Sequence, residues 1–444
     1  MNYINKRFEF VLIKIKIFWR MKFLKNINFQ HKFKTAVLLS ITPLFLTAQI
    51  KTNPEEREIC PPKTIFEVFK KKDSVLEIKP AKNNFFLVIP AIGSQPATGF
   101  FFGAVAQYTF KGKQESDKYS VANLGIIYTL KKQWMINVKN NILLKNNRIF
   151  LSGDYRLYIF SQPNYGLGTD IIPPRRDRDP GFSIDSLAQA MDYNYFKFHQ
   201  TVSFEVRKNF YVGGGINIDW YTDIKDKELD IENGNLTYHY NYSQKHGFDN
   251  LEYFLTGVSF NLVYDSRDNQ VNSSRGWFAN INYRFNPVLF DNQKYSNILY
   301  AEYRNFIPVS PKNDRYILGI WAYGQFVTRG EVPYLNLPAI GWDQRSRSGE
   351  GYTQGLFRGN GLVYLSTEFR FPLICNQMLS GTVFTNFVTA SNADNNIGLF
   401  HSIQPAAGVG LRLLIDKKTR TNLVADYAWG NNSKGFYLNA GEVF

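Results

Sequence analysis

The chain has 444 residues, 16% of them aromatic and 20% charged, with a formal charge of +15. Mean hydropathy is −0.29, and past the N-terminus no apolar run of about 20 residues exists, which excludes helical membrane spans. Residues 1–48 hold nine Lys/Arg and one acid, leaving +7 for the rest, so the basic balance belongs to a targeting segment and does not mark a nucleic-acid binder.

Residues 1–48 read as a secretory signal peptide. Lys22, Lys25, Lys32 and Lys34 precede the apolar run Ala36 to Thr47, and small Ala48 precedes the expected cleavage point. The run suits a signal core and is too short to span a bilayer. The basic stretch before it is long, and Met21 is an alternative start.

Residues 49–83 contain Pro61, Pro62 and the basic run Lys70 to Lys72 and are too short for an independent domain, so a short helix or tether is expected. Cys60 and Cys375 both fall on the periplasmic side of the topology read below. Export leaves two readings open, a disulfide and two free thiols.

From residue 84 to 444 the sequence becomes stretches of period-2 alternation, the pattern of half-buried strands. Val202, Phe204 and Val206 alternate with Ser203, Glu205 and Arg207, and Ile216, Ile218 and Trp220 with Asn217 and Asp219. The first eight strands are expected at 84–92, 98–110, 118–130, 132–144, 148–161, 193–207, 209–222 and 251–265. The second eight are expected at 276–288, 295–307, 314–327, 360–372, 379–389, 404–415, 419–429 and 434–444. Short turns near Lys208, Pro311 and Lys417 alternate with long loops at 162–192, 223–250 and 328–359. That asymmetry predicts an all-β fold, a transmembrane antiparallel β-barrel of about sixteen strands in the outer membrane of a Gram-negative cell. The even count puts both termini on the short-turn, periplasmic side. The last strand places Phe436, Leu438 and Phe444 on one face, a terminal aromatic pattern read as an assembly signal, with Glu442 interrupting it.

Catalytic and metal signals are weak. His239 and His246 share a loop without a tight set of further ligands, and His199 faces the lumen with no Ser or Asp tied to it by spacing. Asp265, Arg267 and Asp268 read as a turn network, with Asn269 as a turn residue. Glu368 and Arg370, two apart on one strand, share the lumenal face and read as an ion-pair ladder. No enzyme activity, cofactor or metal is expected.

Six segments carry a resemblance: GEVPYLNLPAIG (Gly330 to Gly341), GEGYTQGLFRG (Gly349 to Gly359), STEFRFPL (Ser366 to Leu373), Ile89 to Gly103, Tyr264 to Trp277 and Leu423 to Phe444. They resemble the BamA/TamA outer-membrane insertase superfamily, in the style of Bacteroidota members. The resemblance implies that the loop between strands eleven and twelve folds into the lumen. It also implies a lateral seam between the first and last strands, through which outer-membrane proteins or lipids insert or translocate. Unfolded outer-membrane clients, periplasmic or lipoprotein accessory subunits and outer-membrane lipid are the partners it implies. Its loop motif falls on Glu350, Gly351, Tyr352, Gly355 and Arg358, and its inner-wall partners on Glu368, Arg370 and Asp426. Two positions depart from the pattern. The family's loop arginine is Glu350, which would repel Glu368, so either Arg345, Arg347 or Arg358 takes over its role or the loop is unpinned. Residues 49–83 are also too short for a periplasmic POTRA domain. A passive channel or structural barrel is the alternative function.

Overall fold

The computed structural model describes residues 60–69, 84–95, 99–114, 117–174, 177, 179, 181–289, 292–310 and 313–444. The signal peptide expected at 1–48 and most of the stretch 49–83 lie outside the described residues.

Sixteen strands form one sheet in which each pairs antiparallel with its sequence neighbour. They are β1 (Asn84–Gln95), β2 (Gly99–Lys111), β3 (Tyr119–Thr129), β4 (Trp134–Leu144), β5 (Ile149–Asn164), β6 (Gln189–Arg207), β7 (Phe210–Asp226) and β8 (Tyr253–Asp265). The second half comprises β9 (Gly276–Asn286), β10 (Ser296–Pro308), β11 (Ile317–Gly330), β12 (Gly361–Pro372), β13 (Leu379–Ala390), β14 (Gln404–Asp416), β15 (Thr421–Gly430) and β16 (Ser433–Ala440). Among the described residues, two short α-helices, α1 (Ile65–Phe69) and α2 (Tyr238–His246), lie outside the sheet.

Strand count and order match the sequence expectation. β6 and β7 extend four residues further toward the long-loop rim than alternation alone indicates. β16 stops at Ala440, not at Phe444 as expected. The alternation itself explains the sheet. Phe204, Val206, Ile216 and Trp220 are exposed outward, while Ser203, Asn217 and Asp219 are buried inward. An exposed apolar band of this size is a surface for lipid.

The interior is packed. One apolar cluster joins Ile340, Tyr352, Leu356 and Phe357, from the segment after β11, to Trp321, Leu362, Tyr364 and Val388 of the wall. A second gathers Tyr158, Tyr193, Tyr195, Tyr221 and Tyr253 around Tyr334. At the long-loop rim, α2 is capped by Thr237 and by Gly247 in the left-handed region. Tyr242 Oη donates to the Val332 carbonyl at 3.0 Å, and His246 lies between Glu331 (2.9 Å) and Asp394 (2.8 Å), tying three loops together.

At the short-turn rim, Cys60 and Cys375 form a disulfide, which decides between the two readings. It holds the segment before α1 under the β12–β13 turn. Lys63 N–H donates to the Asn376 carbonyl at 2.9 Å, Arg315 Nη2 to the Cys60 carbonyl at 2.6 Å, and Lys417 pairs with Glu67 at 2.7 Å.

Candidate functional site: the lumenal loop, the chain end and the seam

Residues 331–360 leave β11 and fold back on themselves. Ile340 N–H donates to the Phe357 carbonyl at 3.0 Å, and Gly355 N–H to Ile340 at 2.9 Å. Arg358 Nη1 donates to the carbonyls of Tyr334 and Leu335, both at 3.0 Å, so it holds the loop's own base. Asp343 organises the tip, accepting from the N–H groups of Arg345 (3.0 Å) and Ser348 (2.9 Å) and from Ser348 Oγ (2.6 Å).

The tip meets the inner wall. Arg156 of β5 donates to the Asp343 carbonyl at 2.9 Å, Asn386 of β13 to the Glu350 carbonyl at 2.9 Å, and Tyr437 Oη of β16 accepts from Gly351 N–H at 2.9 Å. Gly351 has φ +97°, and a Cβ there would sit 2.9 Å from Ala406 Cβ and 3.0 Å from Gly430 N. Only glycine fits both the conformation and the approach. Tyr352 Oη donates to the Pro405 carbonyl, and Gln162 donates to the carbonyl beside Gly355.

Of the three candidate arginines, Arg347 reaches the last strand. Its Nη2 donates to the Ala440 carbonyl at 3.0 Å, and its Nη1 to Gly441 (2.9 Å) and Glu442 (3.2 Å). Those carbonyls are within reach because the chain turns inward at Gly441, φ +78°. The sequence expectation for the chain end is corrected here. Phe436 and Leu438 are exposed outward, but Phe444 is 2% exposed and lies inside the barrel. Its ring packs 5.5 Å from Trp321 and 6.0 Å from Phe306. Gly319 clears the space, since a Cβ there would lie 3.0 Å from the Phe444 ring. Arg370 Nη2 donates to the Phe444 main-chain oxygen at 3.2 Å.

Beneath this lies a charge network. Arg412 of β14 bonds Asp426 of β15 at 2.5 Å and Glu442 at 2.7 Å. Arg370 pairs with Glu368 on its own strand. Asn422 donates to Glu442 at 2.6 Å, which gives this carboxylate a second partner. Glu350 is buried with Asp426, Arg412, Glu368 and Arg347 as its charged neighbours, yet it makes no ion pair among the described residues. Four acids therefore face three arginines.

The β8–β9 turn closes the space from below. Arg267 Nε and Nη2 both bond Asp265 at 2.9 Å. Asp268 accepts from Ser274 Oγ at 2.6 Å and from Arg420 of the β14–β15 turn at 2.7 Å. Asn269 Nδ2 donates to the Thr419 carbonyl at 3.1 Å. The sequence reads these residues as a turn network, and the structure extends that network to the β14–β15 turn. Sequence reasoning missed Arg412, and it missed Asp219 as the partner of His199 at 3.0 Å. A signal was present: Asp154–Arg156, Asp265–Arg267, Glu302–Arg304 and Glu368–Arg370 repeat one acid-x-Arg spacing, and each pair is joined.

The seam completes the site. β16 pairs with β15 from Ser433 to Ala440, and it lies beside β1. No ladder of hydrogen bonds joins β16 to β1 among the described residues.

Residues 160–444, more than half of the chain, match the Omp85 superfamily domain. The chain is similar to the solved structure of BamA from Haemophilus ducreyi lacking POTRA domains 1–3, at 14% identity over 82% of this chain and 71% of that one, with a TM-score of 0.50. It is also similar to CdiB from Acinetobacter baumannii (13% identity, 80% of this chain and 59% of that one, TM-score 0.48) and to CdiB from Escherichia coli (10%, 82% and 63%, 0.49). No curated protein sequence matches. With sixteen antiparallel strands, an apolar outer band and the family domain spanning the loop, the inner network and the chain end, the chain belongs to the Omp85 superfamily of Gram-negative outer-membrane β-barrels.

Proposed function

We propose that this barrel assists the insertion or translocation of outer-membrane proteins or lipids through a lateral seam between β1 and β16. The observation that carries the reading is the unpaired junction of those two strands, next to a chain end gripped by Arg347. An unpaired strand edge templates another strand. Releasing residues 441–444 from Arg347 and Arg370 would free β16 to swing outward, with the loop serving as its latch. Unfolded clients would arrive from the periplasm, delivered by accessory periplasmic or lipoprotein subunits. The loop motif from Glu350 to Arg358, with Glu368, Arg370 and Asp426, would set the latch. A passive channel requires an open lumen, and residues 331–360 pack there.

The test is a covalent lock. Cysteine pairs placed between residues 85–89 and 435–439 are screened for crosslinking in cells. A locked barrel is expected to lower outer-membrane protein or lipid content, with recovery on reduction. Unchanged growth and envelope composition with complete crosslinking would overturn the proposal.

A further inference from the structure

The two rims of the barrel differ in charge, and seam opening uses neither. Four consecutive periplasmic turns join β2–β3, β4–β5, β6–β7 and β8–β9. On them Lys113, Lys145, Arg148, Arg207, Lys208 and Arg275 are exposed. None of the six makes an ion pair among the described residues. Among the described residues the acids of these turns are withdrawn: Asp117 and Asp265 are buried, and Asp268 is held by Arg420; Glu115 of the β2–β3 turn lies outside the described residues. The other three turns differ. There Arg315 and Lys417 are taken up by the docked N-terminal segment, and Asp314 is exposed. The long-loop rim mixes both signs, with Asp185, Glu228 and Glu232 exposed beside Lys225 and Lys227.

The depth of these cations is fixed by their neighbours. Trp277 faces outward against Tyr264, ring centroids 4.0 Å apart, at the periplasmic end of β9. Indole rings at strand ends mark the level of the lipid headgroups. Arg275 lies two residues nearer the periplasm. Outward-facing Leu144 and Val206 are likewise followed within two residues by Lys145 and Lys208. At roughly 3.3 Å per strand residue, such cations stand where the phosphates of the periplasmic leaflet lie, and their long stems can follow the apolar surface while the charge stays wet.

We propose that this arc, running from β2 to β9, binds anionic phospholipid headgroups of the periplasmic leaflet. Charge complementarity selects the partner: a zwitterionic headgroup offers no net attraction, whereas each added negative lipid gains from a row of turns that carries more cations than acids. The arc anchors one half of the barrel in the leaflet. In the β10–β16 half, which carries the chain end and one side of the seam, the described cations Arg315, Lys417 and Arg420 are each bonded within the protein. The lipid contact does not depend on the seam reading, since it concerns a different surface.

The experiment uses the full chain refolded into mixed vesicles. Brominated phosphatidylglycerol or brominated phosphatidylcholine is the quencher, and tryptophan emission is the readout. The wild type is expected to be quenched several-fold more by the phosphatidylglycerol probe, and salt at about 1 M, where the screening length falls to about 3 Å, is expected to remove the difference. A variant carrying Lys113→Gln, Lys145→Gln, Arg148→Gln, Arg207→Gln, Lys208→Gln and Arg275→Gln should lose the preference while keeping heat-modifiable gel mobility. Lys131→Gln with Lys132→Gln, on the opposite rim, should retain it. Equal quenching by both lipids in the wild type, or a preference surviving in the folded sixfold variant, overturns the proposal.

Discussion

Arg347 of the lumenal loop donates from Nη2 to the carbonyl of Ala440, the last residue of β16, at 3.0 Å. One guanidinium thereby connects the loop to the end of the final strand, and its Nη1 continues onto the two residues that turn inward. Backbone carbonyls carry no side-chain chemistry, so the grip reads the path of the chain and not its sequence. It holds only while Gly441 keeps its left-handed conformation.

Arg347→Ala removes charge-assisted hydrogen bonds to buried carbonyls, a loss of about 1.5–3 kcal/mol. Urea unfolding in vesicles should show a lower midpoint, and carboxypeptidase should trim residues 441–444 that are protected in the wild type. Arg347→Lys cannot reproduce the fork and should fall between the two. Unaltered trimming in Arg347→Ala would show that the grip holds nothing.

Phe444 offers an independent handle on the same tail. Phe444→Ala should cost about 3–5 kcal/mol if its pocket stays empty. Gly319→Val fills the pocket from the wall side, where even a Cβ would lie 3.0 Å from the ring, and should expel Phe444 without altering it. A nitroxide at position 443 should report greater mobility in Gly319→Val than in the wild type. Equal mobility would place the ring elsewhere.

The sixteen strands were legible because alternation is a local property and each outward residue declares itself within a window of a few positions. The loop's place between the eleventh and twelfth strands followed from the same count. The fate of Phe444 was not legible: Glu442 interrupts the alternation, but a single interruption does not say that the backbone turns inward at Gly441. The network around Arg412 was hidden for another reason. Its partners Asp426 and Glu442 come from β15 and from beyond β16, and only the register brings them together. The acid-x-Arg pairs lay between these cases: a two-residue spacing is visible, but its recurrence has meaning only once the strands share one lumen.

The charge count makes Glu350 testable. Four acids face three arginines, and among the described residues Glu350 is the one of the four without an ion-pair partner. Glu350→Gln keeps the shape and the carbonyl that Asn386 bonds, and it brings the charges to balance. It should be neutral or stabilising by urea midpoint, with the largest gain at alkaline pH. Glu368→Gln, which leaves Arg370 without its close partner, should destabilise by about 3–5 kcal/mol. If the two variants lose stability equally, Glu350 carries a partner's role that the geometry does not give it.

Cutting the disulfide should separate the N-terminal segment from the barrel. Cys375→Ser leaves the sixteen strands their own ladders, so heat-modifiable mobility should persist. Trypsin should cleave sooner after Lys63, whose N–H is bonded to Asn376 in the docked state. Chain-entropy arguments assign such a long closed loop about 4 kcal/mol or more, but this loop contains nearly the whole barrel. A collapse of the barrel in Cys375→Ser would contradict the view that the segment is an added tether.

The clamp between Asp268 and Arg420 predicts an acid limb to stability. Burial acts against the charge on Asp268, but the hydrogen bonds from Ser274 and the Arg420 guanidinium win and hold the carboxyl below its usual range. A carboxylate with a lowered folded pKa contributes its full stability above the unfolded value, about 3.9, and loses it as pH falls through the folded value. The wild-type urea midpoint should therefore hold from neutral pH down to about 4 and fall below it. Asp268→Asn lacks the charge at every pH, so it should begin lower and show a shallower acid limb. Because the turn also reaches Thr419 through Asn269, the double variant Asp268→Asn, Asn269→Ala should detach it from the opposite wall. A midpoint in Asp268→Asn that follows the wild type at every pH would assign the acid limb to other carboxylates.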